Sequence, residues 1–134
     1  MLSVPGRIVD EMVAHCLHGL PDEACGLLGG DLAIGQVQIL YPTDNDAASA
    51  KVYTIPPRAH LRADRDAEDR GMSIIGVFHS HTRTEAYPSP TDIRQAPDPS
   101  WHYVIVSLRD TLPAIRSYRI INGVAEEEQV VVGT

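Results

Sequence analysis

Lysine is almost missing from this chain: Lys51 is the only one in 134 residues. The other basic residues are arginines scattered among acids, and 11 basic against 18 acidic residues give a formal net charge of −7. No block of positive charge is present to neutralise a phosphate backbone, which argues against a nucleic-acid binder. The densest charged run, Arg62-Ala-Asp-Arg-Asp-Ala-Glu-Asp-Arg70, mixes both signs and reads as a solvated helix face. Cysteine is also scarce. Cys16 and Cys25 are too few for a disulfide framework and lie outside C-x-x-C spacing, so reduced thiols and a cytoplasmic location are expected. No apolar run approaches the roughly 20 residues needed to span a bilayer. Met1 to Val13 lacks the charged start and long apolar stretch of a secretory leader.

What is present suffices for one core. At 134 residues and 43% apolar content, residues 1–134 form one expected domain. Arg7 to Leu20 carries apolar residues at 8, 9, 12, 13 and 17, the spacing of an amphipathic helix ended by Gly19 and Pro21. Glu23 to Leu28 reads as a short strand closed by Gly29-Gly30, with Gln36 to Tyr41 pairing with it. Residues 42–46 have loop composition. Lys51 to Ile55 is expected as a third strand and Pro56 to Arg70 as a helix. Ile74 to His81 reads as the central strand and His102 to Leu108 as another. Ala114 to Ile121, an Asn122-Gly123 turn and Val124 to Val132 read as a terminal hairpin. Helices interleaved with strands predict an α/β (α+β) fold, a single mixed sheet flanked by helices.

Chemistry concentrates in residues 79–92, HSHTRTEAYPSPTD. Residues two apart on a strand point to one face, so His79 and His81 project toward one point. Pro88-Ser-Pro-Thr-Asp92 looks like a helix start, with Ser89 as N-cap, Pro90 at the first helical position and Asp92 at the third. Such a helix, opening just past the strand, could swing Asp92 back over the histidines. Two imidazoles and a carboxylate form the ligand set of a hydrolytic zinc site with its fourth position open. Ser89 and Asp92 also satisfy a bland reading as a capping pair. Ser80, between the histidines, points the other way and is expected to be structural or to support the ligands from behind.

The spacing H-S-H, seven residues, Ser, two residues, Asp resembles the signature of the JAMM (MPN+) metallopeptidases. The segment Glu23-Ala-Cys-Gly-Leu-Leu-Gly-Gly30 is similar to the family's upstream glutamate ahead of a short apolar strand. The resemblance runs from about Ile8 to Ile121 by the order of elements. The Thr84-Glu-Ala-Tyr-Pro-Ser89 run and His102-Tyr-Val-Ile-Val-Ser107 look like the small bacterial type that removes a C-terminal cysteine from a ubiquitin-like sulfur carrier. The resemblance implies the JAMM/MPN (cytidine-deaminase-like) fold and one Zn2+ per chain on His79, His81 and Asp92. It also implies Glu23 as the catalytic base and Ser89 as donor to the oxyanion. The implied reaction is hydrolysis after the carrier's diglycine tail, releasing cysteine or a short extension in sulfur transfer or cysteine biosynthesis. A protein carrier is thus the expected partner, with no nucleic acid and no membrane. Taken without the motif, Glu23 reads as a surface residue.

Two other functional readings are open: an isopeptidase acting on ubiquitin-like conjugates, and a non-catalytic scaffold of the same fold. A zinc nucleoside deaminase would need H-x-E and P-C-x-x-C, and neither occurs. Among the remaining polar residues, His15 and His18 are expected on a surface, and His60 and His102 have no nameable partner. Cys25 reads as a buried structural thiol. Asp44 and Asp46 read as turn residues. The segment 82–88 and residues 51–55 are expected as walls for an extended tail.

Overall fold

The computed structural model describes residues 1–133. Its elements in chain order are β1 (Leu2–Pro5), α1 (Gly6–His18), β2 (Cys25–Asp31), β3 (Gln36–Thr43), α2 (Pro57–Asp69), β4 (Ser73–His81), α3 (Pro90–Arg94), β5 (His102–Ser107), β6 (Ala114–Ile121), β7 (Val124–Glu128) and β8 (Val130–Gly133). The eight strands form one mixed sheet in the order β7-β6-β5-β4-β2-β3-β1-β8. The expected mixed sheet flanked by helices is therefore the architecture found.

Alternation along the central strands builds two cores. Leu28, Phe78, Val104 and Val106 pack with Ile8, Met12 and Cys16 of α1 on one face. Leu27, Val77, Tyr103 and Ile105 pack with Ala63 and Ala67 of α2 on the other. Strand β4 is covered on both faces, and every residue from Ile74 to His81 is buried. Continuing the alternation, His79 and His81 share the face of Val77, while Ser80 shares that of Phe78 and faces the α1 core.

Three expectations need correction. Lys51 to Ile55 is not a strand. The Asn45 side chain takes over the ladder groups there: its Nδ2 donates to the Val52 carbonyl at 3.0 Å, and its Oδ1 accepts from the Thr54 amide at 2.9 Å. Strand β1 was not expected; its four residues gain partners only from distant β3 and β8. The terminal hairpin turns at Asn122 and Gly123, whose φ values of 52° and 76° suit a primed turn. However, its second arm is two strands. β7 pairs antiparallel with β6, and after Gln129 the chain enters β8, which pairs parallel with β1. Consecutive strands at opposite ends of the order require the sheet to curl round the α1 core.

Buried polar groups hold this closure. Glu128 accepts from His102 Nδ1 at 2.6 Å and from Ser117 Oγ at 2.8 Å. Burial works against the Glu128 carboxylate, but these bonds prevail and hold its pKa at about 2.

Candidate metal centre

The candidate site lies at the carboxyl end of β4. Strand geometry brings His79 and His81 to one face, and their Nε2 atoms are 3.1 Å apart. The carboxylate arrives as expected, on α3. Ser89 is the N-cap: its Oγ accepts from the Asp92 amide at 3.0 Å, and the Asp92 carboxylate accepts from the Ser89 amide at 2.9 Å. This reciprocal capping box fixes Asp92 Oδ2 at 3.1 Å from His79 Nε2 and 3.0 Å from His81 Nε2. The capping and metal-ligand readings of Asp92 are thus compatible, because the cap aims the ligand.

The chemistry of these donors tests whether they suit a cation. His81 Nδ1 lies 2.8 Å from the Glu85 carbonyl, which can only accept, so Nδ1 carries a proton. In the neutral ring Nε2 is then a lone pair, facing the Asp92 carboxylate and the second imidazole. All three residues are buried. Converging lone pairs in a buried site repel unless a cation lies among them. Edges of 3.0 to 3.1 Å approach the roughly 3.3 Å separation that tetrahedral bonds of about 2.0 Å would set. The residues fit a small divalent metal.

Electrostatics favour the deprotonated forms of His79 and Asp92 but not that of His81. Burial holds His79 below its ordinary pKa. Burial opposes the charge of Asp92, but its close contacts with His79 and His81 and the bond from the Ser89 amide outweigh it and keep the carboxyl well below the usual range. For His81 burial favours the neutral ring, yet the Asp92 and Glu85 bonds raise its pKa. A bound cation competes directly with that extra proton.

Glu23, just before β2, is buried rather than superficial, and its Oε1 has no partner among the described residues. Burial pushes its pKa up to about 8. Pairing of Cys25 with His79 brings this end of β2 beside the histidines. Its backbone is held firmly: the Glu23 amide donates to the Ser49 carbonyl at 2.8 Å, and its carbonyl accepts from Asn45 Nδ2 at 3.0 Å. Ser80 supplies the other clamp. Its Oγ accepts from the Ala24 amide and its own amide donates to the Ala24 carbonyl, each at 2.9 Å. The structural expectation for Ser80 thus acquires a purpose, tying the glutamate's neighbour to the strand that carries both histidines.

Two contributors were not found by sequence reasoning. Tyr53 stacks on the His79 ring, with centroids 4.2 Å apart and planes 19° from parallel. Asn45 organises the loop that presents it; the only sequence signal was the Asp/Asn-rich composition of residues 42–46. Only part of each expected wall segment lines the cleft: about 480 Å³ opens on Glu23, His81 and Ser89 between Lys51 and the Thr82–Thr84 segment, while Tyr53 to Ile55 line a separate pocket. Cys25 is buried, its thiol pushed up by burial to about 11, which makes it a poor nucleophile. His15, expected on a surface, is half-buried, with Nε2 within 3.1 Å of the Cys25 and Thr43 carbonyls. His60 lies 3.4 Å from Asp64 of its own helix.

This constellation can now be set beside known proteins. Residues 5–121 match the family described as prokaryotic homologs of the JAB domain. The chain belongs to that family. As a JAB protein it has peptidases among its relatives. The CysO-cysteine peptidase of Mycobacterium tuberculosis is 40% identical over 98% of this chain and 91% of its own. The desampylase of Haloferax volcanii is 32% identical over 79% of this chain and 80% of its own. A Desulfitobacterium hafniense protein solved in solution superposes with a TM-score of 0.90 at 37% identity, covering 98% of this chain and 92% of its own. A JAB1/MPN domain protein from Archaeoglobus fulgidus, at 17% identity and a TM-score of 0.65 over 100% and 98% of the two chains, shares the fold.

Proposed function

We infer that residues 1–134 form one metallopeptidase domain that hydrolyses the amide bond following the diglycine tail of a ubiquitin-like sulfur carrier. The product released would be cysteine or a short C-terminal extension. The observation that carries this reading is the complete set Glu23, His79, His81, Ser89 and Asp92, drawn together in a relative of the CysO-cysteine peptidase. The donors favour zinc: two imidazoles and one carboxylate at tetrahedral spacing, with a position left for water. A zinc ion held by His79, His81 and Asp92 would supply Lewis acidity, polarising the scissile carbonyl and easing loss of a water proton.

The chain's own groups carry the rest. Glu23 receives the proton of the attacking water as the C–O bond forms. It delivers that proton to the departing nitrogen as the C–N bond breaks. Burial suits it to this exchange, because it raises proton affinity toward the neutral range. Ser89 Oγ uses an acceptor lone pair for the Asp92 amide, so its own proton is free for the developing oxyanion. Such a donor is worth roughly 2.7 to 4 kcal/mol of barrier. Tyr53 limits rotation of the His79 ring by stacking on it.

A second reading, cleavage of isopeptide conjugates, is favoured by similarity to the desampylase and to the Thermus thermophilus protein described as a probable TtuB-protein conjugate cleaving protease. Mass spectrometry separates the two. CysO extended by cysteine and a lysine-linked ubiquitin-like conjugate are each incubated with zinc-loaded protein. Loss of the added cysteine supports the first reading; an intact extended carrier beside a cut conjugate supports the second. Remote contacts with the folded carrier should supply transition-state binding, so a free dipeptide with the same bond should react far more slowly.

A further inference from the structure

We propose that Lys51 and Arg83 form a subsite for the free α-carboxylate of the leaving amino acid, so that this protein trims carboxyl termini in preference to isopeptide bonds. The proposal rests on the peptidase reading above and names the chemistry of its leaving group. The chain carries −7 net charge and one lysine, yet that lysine stands on the cleft that holds Glu23 and His81, with Arg83 on the same cleft. Both side chains are exposed, and neither has an acidic partner among the ion pairs of the described residues.

Their backbones are not loose. The Lys51 amide donates to Ser49 Oγ at 3.0 Å, and Ser49 accepts from the Glu23 amide. Thr82 Oγ1 reaches the Ala50 carbonyl at 3.4 Å, linking the two lips. The Arg83 segment is held by His81 Nδ1 on the Glu85 carbonyl and by Ser107 Oγ on the Thr84 carbonyl at 2.6 Å. Two cations are thus mounted on fixed supports, either side of one opening.

Glu23 decides which part of a substrate meets them. The base delivers its proton to the departing nitrogen, so the leaving group occupies the cleft that Glu23 lines. In a C-terminal amino acid the carboxylate carbon lies only two bonds, about 2.5 Å, from that nitrogen. Long cationic side chains on the same cleft reach it readily. In an isopeptide the departing nitrogen is a lysine Nζ, four methylenes from its α-carbon, and no free carboxylate lies near. The subsite therefore discriminates by charge at a fixed distance from the cut bond.

The test uses zinc-loaded full-length protein and two probes: CysO carrying one C-terminal cysteine, and the same adduct with that cysteine as its primary amide. The readout is the ratio of kcat/KM for acid over amide, followed by mass spectrometry. The wild type should favour the acid by about tenfold, as expected for two partly screened ion pairs, and high salt should shrink the ratio. Lys51→Met with Arg83→Met should bring the ratio toward one, while Lys51→Arg with Arg83→Lys should keep most of it. Thermal unfolding of each variant checks that it folds. Equal cleavage of acid and amide by the wild type, or a preference that survives the double methionine variant, overturns the subsite and leaves the peptidase reading standing. Failure to cut either adduct overturns both.

Discussion

Ser80 is where the sequence motif, the packing and the chemistry meet, and replacing it with alanine separates their contributions. Its side chain is wholly buried between the two histidines of the candidate metal centre. The hydroxyl accepts from the Ala24 amide at 2.9 Å. Removing it orphans a buried N–H, which costs about 1–3 kcal/mol. For a chain of this size each kcal/mol corresponds to about 3–4 °C, so Tm should fall by about 3–12 °C. Loss of one clamp on Ala24 should also let the adjacent Glu23 carboxylate drift. A displacement approaching an ångström costs on the order of 100-fold in rate, so kcat should fall by about 10- to 100-fold with KM little changed. The ligand atoms are untouched, and metal content should stay at the wild-type level. Differential scanning fluorimetry, metal analysis and steady-state kinetics on one preparation make the comparison. An unchanged Tm with unchanged kcat would show that the Ala24–Ser80 bond holds nothing in place.

Other outcomes follow from the same structure. Glu128 has its carboxyl lowered from 4.5 to about 2, so its contribution is complete above pH 4.5 and lost as pH falls through that window. The linked stability is on the order of 3 kcal/mol, and Glu128→Gln should flatten the acid limb of a stability–pH curve; an identical limb would contradict this. A Cβ on Gly76 would sit 2.3 Å from the His102 carbonyl oxygen, so Gly76→Ala must push β4 and β5 apart. It should cost at least about 1–3 kcal/mol in denaturant unfolding, and a stability equal to wild type would refute the close approach.

Much of the site was legible because it is local. Residues 73–92 contain a buried strand, two ligands set by its alternation, and a capped helix start, and each depends on neighbours within a few positions. Glu23 was different: nothing in its immediate sequence marks it as buried, and only pairing of β2 with β4 carries it to the histidines. The residues around Lys51 show the opposite failure. Val-Tyr-Thr-Ile is strongly β-prone, but Asn45 satisfies its backbone from a side chain, and the segment becomes a pinned loop. Propensity cannot reveal that substitution, nor the stacking of Tyr53 on His79 that results. The division of the last arm into β7 and β8 was hidden for a related reason. Val124 to Val132 reads as one run, and its change of partner at Gln129 depends on β1, at the other end of the chain. His102 lacked a partner in sequence because Glu128 lies 26 residues away across β6.

The central claim is that His79, His81 and Asp92 hold a metal while Glu23, outside its ligands, moves the proton. Metal content and turnover of CysO-cysteine, measured on the same preparations of wild type, His81→Ala and Glu23→Gln, test it most directly. The wild type should carry about one zinc per chain and cut the adduct, and His81→Ala should lose both metal and activity. Glu23→Gln should keep the zinc and lose turnover, since an amide cannot accept the water proton. Wild-type metal content in His81→Ala, or substantial turnover by Glu23→Gln, would contradict the account.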